Sequence, residues 1–350
     1  MTDFALPEEV EQLRQEAARF AAQQLAPAAR ASEKAGEWSG AVLDVLQKFA
    51  LRELDVAAEL GGLGAGYLAK VVLLETLAAG DAGGLAAADP AGIASGALAA
   101  CPDPDLARKI ASACLGGEAQ AALVVVDPGG PTTRRVAWAP GWPPLRWAFV
   151  SEGDSLRLLE VTGPLEATRA LAFHASGGVS ASLEGSRALG EWLLQTRGGV
   201  GVRGRARLWC AAVALGVAQA AFDATIAYTT ERVVFGKPVA HHQGNAFDLA
   251  VAATNLHGAR LAVRDAASSC DRGAPDAGFW STQAWLGAVD AAIAVTDLGI
   301  QLLGGHGFLV DHLAEKRFRE ARMLALLAGG RDVAEADVAE LVLDVPDALA

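Results

Sequence analysis

Apolar residues recur at helical spacing toward both ends of this chain, and between those regions the helical period lapses. Such a pattern forces two helical parts around a smaller β part, since a 3.6-residue repeat buries one helix face and a two-residue repeat one strand face. Pro7-Glu8-Glu9 opens the first helix, because proline suits a first turn and the acids face the positive end of the helix dipole. Val10, Leu13, Ala17, Phe20 and Ala21 continue it as one apolar stripe. Further helices are predicted in "SGAVLDVLQKFA" and "AKVVLLETLAAGD", with Gly61, Gly62 and Gly64 forcing a loop between them. From Ala121 to about Thr196, prolines appear, along with short runs such as "RWAFVS" and "LRLLEV" around a turn at Glu152-Gly153-Asp154. These read as a small β domain.

The remainder is predicted to hold four long helices, over 203–234, 243–270, 282–305 and 313–328, joined by short loops as an antiparallel bundle. Leu208, Ala211, Ala212, Leu215, Ala218, Phe222 and Ile226 mark one face of the first. The fold class expected is mainly α with a small β middle domain: an N-terminal helical domain over 1–120, a β domain over 121–196 and a C-terminal helical bundle over 197–350.

Composition narrows the function. A formal net charge of −12 argues against nucleic acid, which is bound by clustered Lys and Arg. Cys101, Cys114, Cys210 and Cys270 form no CxxC pair and suit small core residues in a reducing compartment. His241-His242 has no carboxylate or cysteine at ligand spacing, so no metal site is expected. The start lacks a basic segment before an apolar run, and no stretch reads as membrane-spanning, which together predict a soluble, cytoplasmic protein.

Three glycine-bearing loops interrupt the helices: "LGGLG" at 60–64, "ERVVFGKPVAHHQ" at 231–243 and "QLLGGHGF" at 301–308. Each alone reads as a helix cap or tight turn. Together, in this order and on a helix–strand–helix chain, they resemble the acyl-CoA dehydrogenase family over nearly the whole length. The second resembles its R-x-x-F-G-x-P/L-x-x-x-x-Q signature and the third its Q-x-x-G-G-x-G-[FY] loop. The resemblance implies FAD at a subunit interface. Arg232, Phe235, Gln243, Gln301, Gly304 and Gly305 would then reach the adenosine and pyrophosphate of a flavin held by the neighbouring subunit. A pyrophosphate wants a guanidinium and close backbone N–H groups, which glycine permits. The plainer alternative is that Arg232 pairs with a surface acid and Gln243 caps the next helix.

The family's reaction is α,β-desaturation of an acyl-CoA thioester, in which a glutamate takes the α-proton and the β-hydrogen leaves as hydride. The resemblance places that glutamate after the last bundle helix, where Ala328 stands here, with Gly330 in place of the family's threonine. A minority of members carry the base on the first bundle helix before a retained arginine. Here that position is Ala206, followed by Arg207, which either supports the bundle or a partner's acyl pocket or is a plain surface arginine. The ring-cradling T-E-P-x-x-G-S-D segment is reduced to "VVVDPGGPTT", with Val126 for the threonine and Thr132 and Thr133 for Ser-Asp, and the K-x-W-I-T strand is absent. Trp138, Trp142 and Trp147 read as core and loop packing more readily than as flavin stackers.

What remains is the half of the site that the family lends to a neighbour. The resemblance therefore implies a non-basic subunit of a hetero-oligomeric acyl-CoA dehydrogenase acting on bulky CoA thioesters, steroid side chains among them. A full-length partner would supply the glutamate, in a heterotetramer with two copies of each chain. Two alternatives stand beside it. One is a self-sufficient enzyme whose base is Asp332, Glu335 or Asp337 in the tail "GGRDVAEADVAE", and the other is a flavin-free scaffold.

Overall fold

A computed structural model describes residues 5–126, 135–194 and 198–344. Helices α1 (Glu8–Phe20), α2 (Ala26–Ala35), α3 (Gly40–Gln47), α4 (Tyr67–Ala78), α5 (Ala82–Ala88), α6 (Ser95–Ala99) and α7 (Pro104–Leu115) make the N-terminal part. Pro7 is the N-cap of α1, with Glu8, Glu9 and Glu11 in the first turn. A π-helical turn, Ala21–Leu25, joins α1 to α2. The "LGGLG" loop is a tight turn: Gly61 has φ 89°, and a Cβ on Gly62 would lie 2.0 Å from the Val56 carbonyl oxygen.

Strands β1 (Gln120–Val126), β2 (Arg135–Ala139), β3 (Leu145–Glu152), β4 (Ser155–Glu160), β5 (Leu165–Ala167), β6 (Val179–Ser182) and β7 (Arg187–Leu193) follow. They form a mixed sheet in the order β1-β3-β4-β7, with β1 parallel to β3, and a second sheet in the order β2-β6-β5. Glu152-Gly153-Asp154 is the hairpin turn of β3 and β4, as its turn chemistry predicts. Trp147 and Phe149 of β3 pack on α6 and α7, whereas Ala148 and Val150 pack toward the second sheet. Both faces of β3 are buried, which is why its sequence shows a continuous apolar run in place of a clean alternation.

The chain then enters α8 (Gly198–Glu231), a tight ribbon of β8 (Val233–Val234) and β9 (Lys237–Pro238), α9 (Gln243–Asp271), α10 (Ala277–Leu303), α11 (Ala314–Leu324) and α12 (Gly330–Asp344). The four expected helices are present, but the first ends at Glu231 and the tail beyond the fourth folds as a further helix. The expected single apolar face of α8 is also exceeded, since residues 206–218 are buried on every side, between α4, α9, α10 and α11. Alanine makes this possible, because its small side chain lets neighbouring helices pack closely all round.

Two further expectations need correction. Helical segments over Gly201–Glu231 and Ala277–Phe308 are long and apolar enough to cross a membrane, and here 61% and 50% of their apolar windows are buried inside the fold. Cys114 and Cys210 are buried, but Cys101 and Cys270 are only half-buried.

Candidate functional site

The "ERVVFGKPVAHHQ" segment is the connection from α8 to α9. Val233–Val234 pairs antiparallel with Lys237–Pro238 around Phe235 (φ 50°) and Gly236 (φ 82°). The His242 ring nitrogen Nε2 lies 3.0 Å from the Val234 carbonyl oxygen, and Asn245 Nδ2 donates to the Val239 carbonyl at 2.9 Å. The loop is thus braced from inside while its signature side chains stay outside. Arg232 is exposed, and its guanidinium has no hydrogen-bond or ion-pair partner among the described residues. Phe235 is 94% exposed. Gln243 is the first residue of α9 and does not cap it, since His242 holds the N-cap position without a side-chain bond.

The "QLLGGHGF" segment closes α10 at the same end of the bundle. Tyr228, one turn before Arg232 on α8, brings its hydroxyl within 3.4 Å of His306 Nδ1 in this loop. Gln301, Gly304 and Gly305 are exposed, and a Cβ on either glycine would meet nothing within 4 Å. Gly307 differs: a Cβ there would fall 2.4 Å from the Ile300 carbonyl oxygen, so that glycine serves the turn itself. Six residues singled out in the sequence therefore lie in two loops or the helix ends beside them, at one end of the bundle, all open to solvent.

The two positions that the resemblance assigns to a base lie in the core. Ala206 and Ala328 are 1% and 7% exposed and belong to the same apolar cluster. Arg207 is fully buried, which corrects its reading as a surface arginine. Its Nη1 donates to Asp337 Oδ2 at 2.6 Å and to Thr282 Oγ1 at 3.0 Å, and its guanidinium carbon stands 5.9 Å from the Trp285 ring centroid. Arg203 grips the same carboxylate through Nε (2.9 Å) and Nη2 (2.6 Å). Burial pushes the Arg207 pKa down, while the Asp337 carboxylate pulls it back up. Sequence reading missed this clamp, because its members are 130 and 134 residues apart.

The clamp also bears on the tail acids offered as a displaced base. Asp337 is buried and committed to two guanidiniums, Glu335 pairs with Arg331 at 2.6 Å, and Asp332 is exposed. Trp147 is buried in the core, Trp138 lies 5.8 Å from the Phe173 ring, and Trp142 is exposed. Of the segment matching the ring-cradling loop, Val126 ends β1, and residues 127–134, Thr132 and Thr133 among them, lie outside the described residues.

Two models of one family match the chain: the acyl-CoA dehydrogenase N-terminal domain over residues 7–118 and its C-terminal domain over 204–343. The chain belongs to the acyl-CoA dehydrogenase family. It is 36% identical over 127 residues to cyclohex-1-ene-1-carbonyl-CoA dehydrogenase of Geobacter metallireducens, a match covering 36% of this chain and 33% of that relative. The match thus spans about a third of that curated relative's length. Its fold is similar to butyryl-CoA dehydrogenase of Megasphaera elsdenii (TM-score 0.82, 20% identity, 98% of this chain and 100% of that one). It is likewise similar to the Tcur3481–Tcur3483 steroid ACAD (TM-score 0.76, 22% identity, 96% and 98%).

FAD is the cofactor of this acyl-CoA dehydrogenase family. The exposed loops offer a free guanidinium, an exposed aromatic ring, two side-chain amides and two unobstructed glycines. That donor set fits the nucleotide half of FAD.

Proposed function

We propose that this chain is a subunit of a hetero-oligomeric acyl-CoA dehydrogenase, one that holds the nucleotide half of FAD for a partner carrying the catalytic glutamate. FAD, when bound, supplies the acceptor for the β-hydride of a CoA thioester. Arg232 would pair with the pyrophosphate, Phe235 would pack on the adenosine, and Gln243, Gln301 and the backbone at Gly304 and Gly305 would supply polar contacts. The observation that carries this reading is the contrast between its two halves. All six nucleotide-facing residues are presented to solvent, whereas both base positions are buried methyl groups.

A methyl group accepts no proton, so the chain cannot remove the α-proton from either family position. The nearby carboxylate of Asp337 is held by three hydrogen bonds from two arginines and is not free to do so. A full-length family member is the partner the reading requires, in a heterotetramer with two copies of each chain. The Tcur3481–Tcur3483 likeness supports a two-chain assembly and bulky, steroid-type substrates.

The test is purification of the chain alone and with a co-encoded longer family member, reading flavin absorbance and acyl-CoA-dependent dye reduction. The pair is expected to carry FAD and activity and the lone chain neither, and Arg232→Ala should strip FAD from the pair. Full FAD and turnover in the lone chain would overturn the proposal. Flavin retention that is indifferent to Arg232→Ala would leave the chain a scaffold.

A further inference from the structure

A cavity of about 930 Å3 lies between the N-terminal helices and the bundle, and it shares no lining residue with the nucleotide-facing loops or the base positions. Its walls come from α1, the π turn, α4, α8, α9 and α11. Its size falls within the range of small-molecule sites, roughly 300–1,000 Å3.

The lining has an apolar part and a charged part. Ala18, Ala22, Ala79, Ala220 and Ala224 leave space because their side chains are short. The π turn places Ala21 and Ala22 in this wall, and single π turns within helices are frequent at functional sites.

The charged part sets four guanidiniums, of Arg14, Arg260, Arg264 and Arg317, against three carboxylates, of Glu11, Glu75 and Asp223. Arg14 is satisfied by Glu11 at 2.6 and 2.8 Å. Arg260 binds Glu75 and donates to Gln219 Oε1 at 2.6 Å. Arg264 reaches Glu75 only at 3.7 Å, and its buried Nε has no acceptor. Arg317, half-buried, makes no side-chain hydrogen bond or ion pair with any described residue. Burial pushes its pKa down against the more distant pull of Glu320, Asp223 and Asp81. A desolvated cation without an acceptor is unfavourable, and an anion entering the cavity relieves it.

We propose that this cavity binds a small amphipathic organic anion, with a carboxylate or phosphate head on Arg317 and Arg264 and an apolar body against the alanines. The site is separate from the flavin-facing loops, so it stands whether or not this chain holds FAD.

Calorimetric titration of the full chain with octanoate, octyl phosphate and octanol tests it. At least one anion is expected to bind about tenfold or more tightly than octanol, and Arg317→Gln to weaken that anion about tenfold, as expected for a hydrogen bond to a charged group. Ala224→Trp, at an exposed lining position, adds bulk to the cavity while keeping all four arginines, and should abolish binding with the melting temperature unchanged. Arg232→Ala should leave the affinity unmoved. Octanol binding as well as both anions, or anion binding insensitive to both cavity variants, would overturn the proposal.

Discussion

Two guanidiniums one helical turn apart in a core would repel each other, and Arg203 and Arg207 tolerate that arrangement because Asp337 accepts from both. Asp337→Ala leaves two buried cations without their counter-ion and is expected to lower stability by about 3–5 kcal/mol, measured by urea denaturation. A loss under about 1 kcal/mol would show that the clamp does not hold α12. A second buried cluster sets two carboxylates around one ammonium, with Lys316 bound to Asp81 and Glu320. Asp81 also accepts from Trp38 Nε1 (2.9 Å) and from the Gly84 N–H (2.6 Å), so its charge is well supported. Glu320 is the less supported of the two, and burial pushes its pKa up to about 7. Its folded-state value thus exceeds its unfolded one, so the native state binds the extra proton and stability falls as pH rises from about 4.5 toward 7. Glu320→Gln should flatten that decline in thermal melts across this window; an equally steep decline would exclude Glu320 as its source. Single-residue chemistry of this kind was partly legible in the sequence. The alanines at the two positions that the resemblance assigns to a base are visible in the sequence, but the partners of Arg207 are not, because nothing local ties it to a residue 130 positions away.

The elements were legible to the extent that one face of each was exposed. The stripe Val10, Leu13, Ala17, Phe20 and Ala21 does pack on the core, since α1 lies on the surface with a wet side. Where a stretch is buried all round, as residues 206–218 of α8 and 147–151 of β3 are, periodicity has nothing polar to contrast with and only length and composition remain. The tail helix was missed for another reason. Its acid-rich start carries no long apolar run, yet Gly329 and Gly330 turn the chain so that α12 lies back over Arg203 and Arg207. Ala328, Gly329 and Gly330 all adopt positive φ, and a Cβ on Gly329 would stand 2.8 Å from Val125 Cγ1. Gly329→Ala is therefore expected to destabilise by about 1–3 kcal/mol, combining backbone strain with overpacking against β1. A melting temperature unchanged in this variant would mean that the turn has room the structure does not show.

At the scale of the whole molecule, the end of the bundle that carries the two signature loops exposes a group of large apolar side chains. Val233, Phe235, Phe247, Val251, Phe308 and Val310 are all more than half exposed around the two signature loops. Clustered apolar exposure of this kind marks an interaction surface. Phe235→Asp should leave the isolated fold intact, because the ring touches little of its own chain, and weaken assembly with the proposed partner by about 2 kcal/mol or more, as an aromatic anchor does. Native mass measurement of the pair checks this, and an undiminished heterotetramer would remove Phe235 from the interface. The proposed two-chain assembly would set a demand on the cell. A copy synthesised without its counterpart would carry a naked greasy crown open to chaperones, proteases or self-association, so output of the two polypeptides would have to be matched, and any surplus of this one would be short-lived.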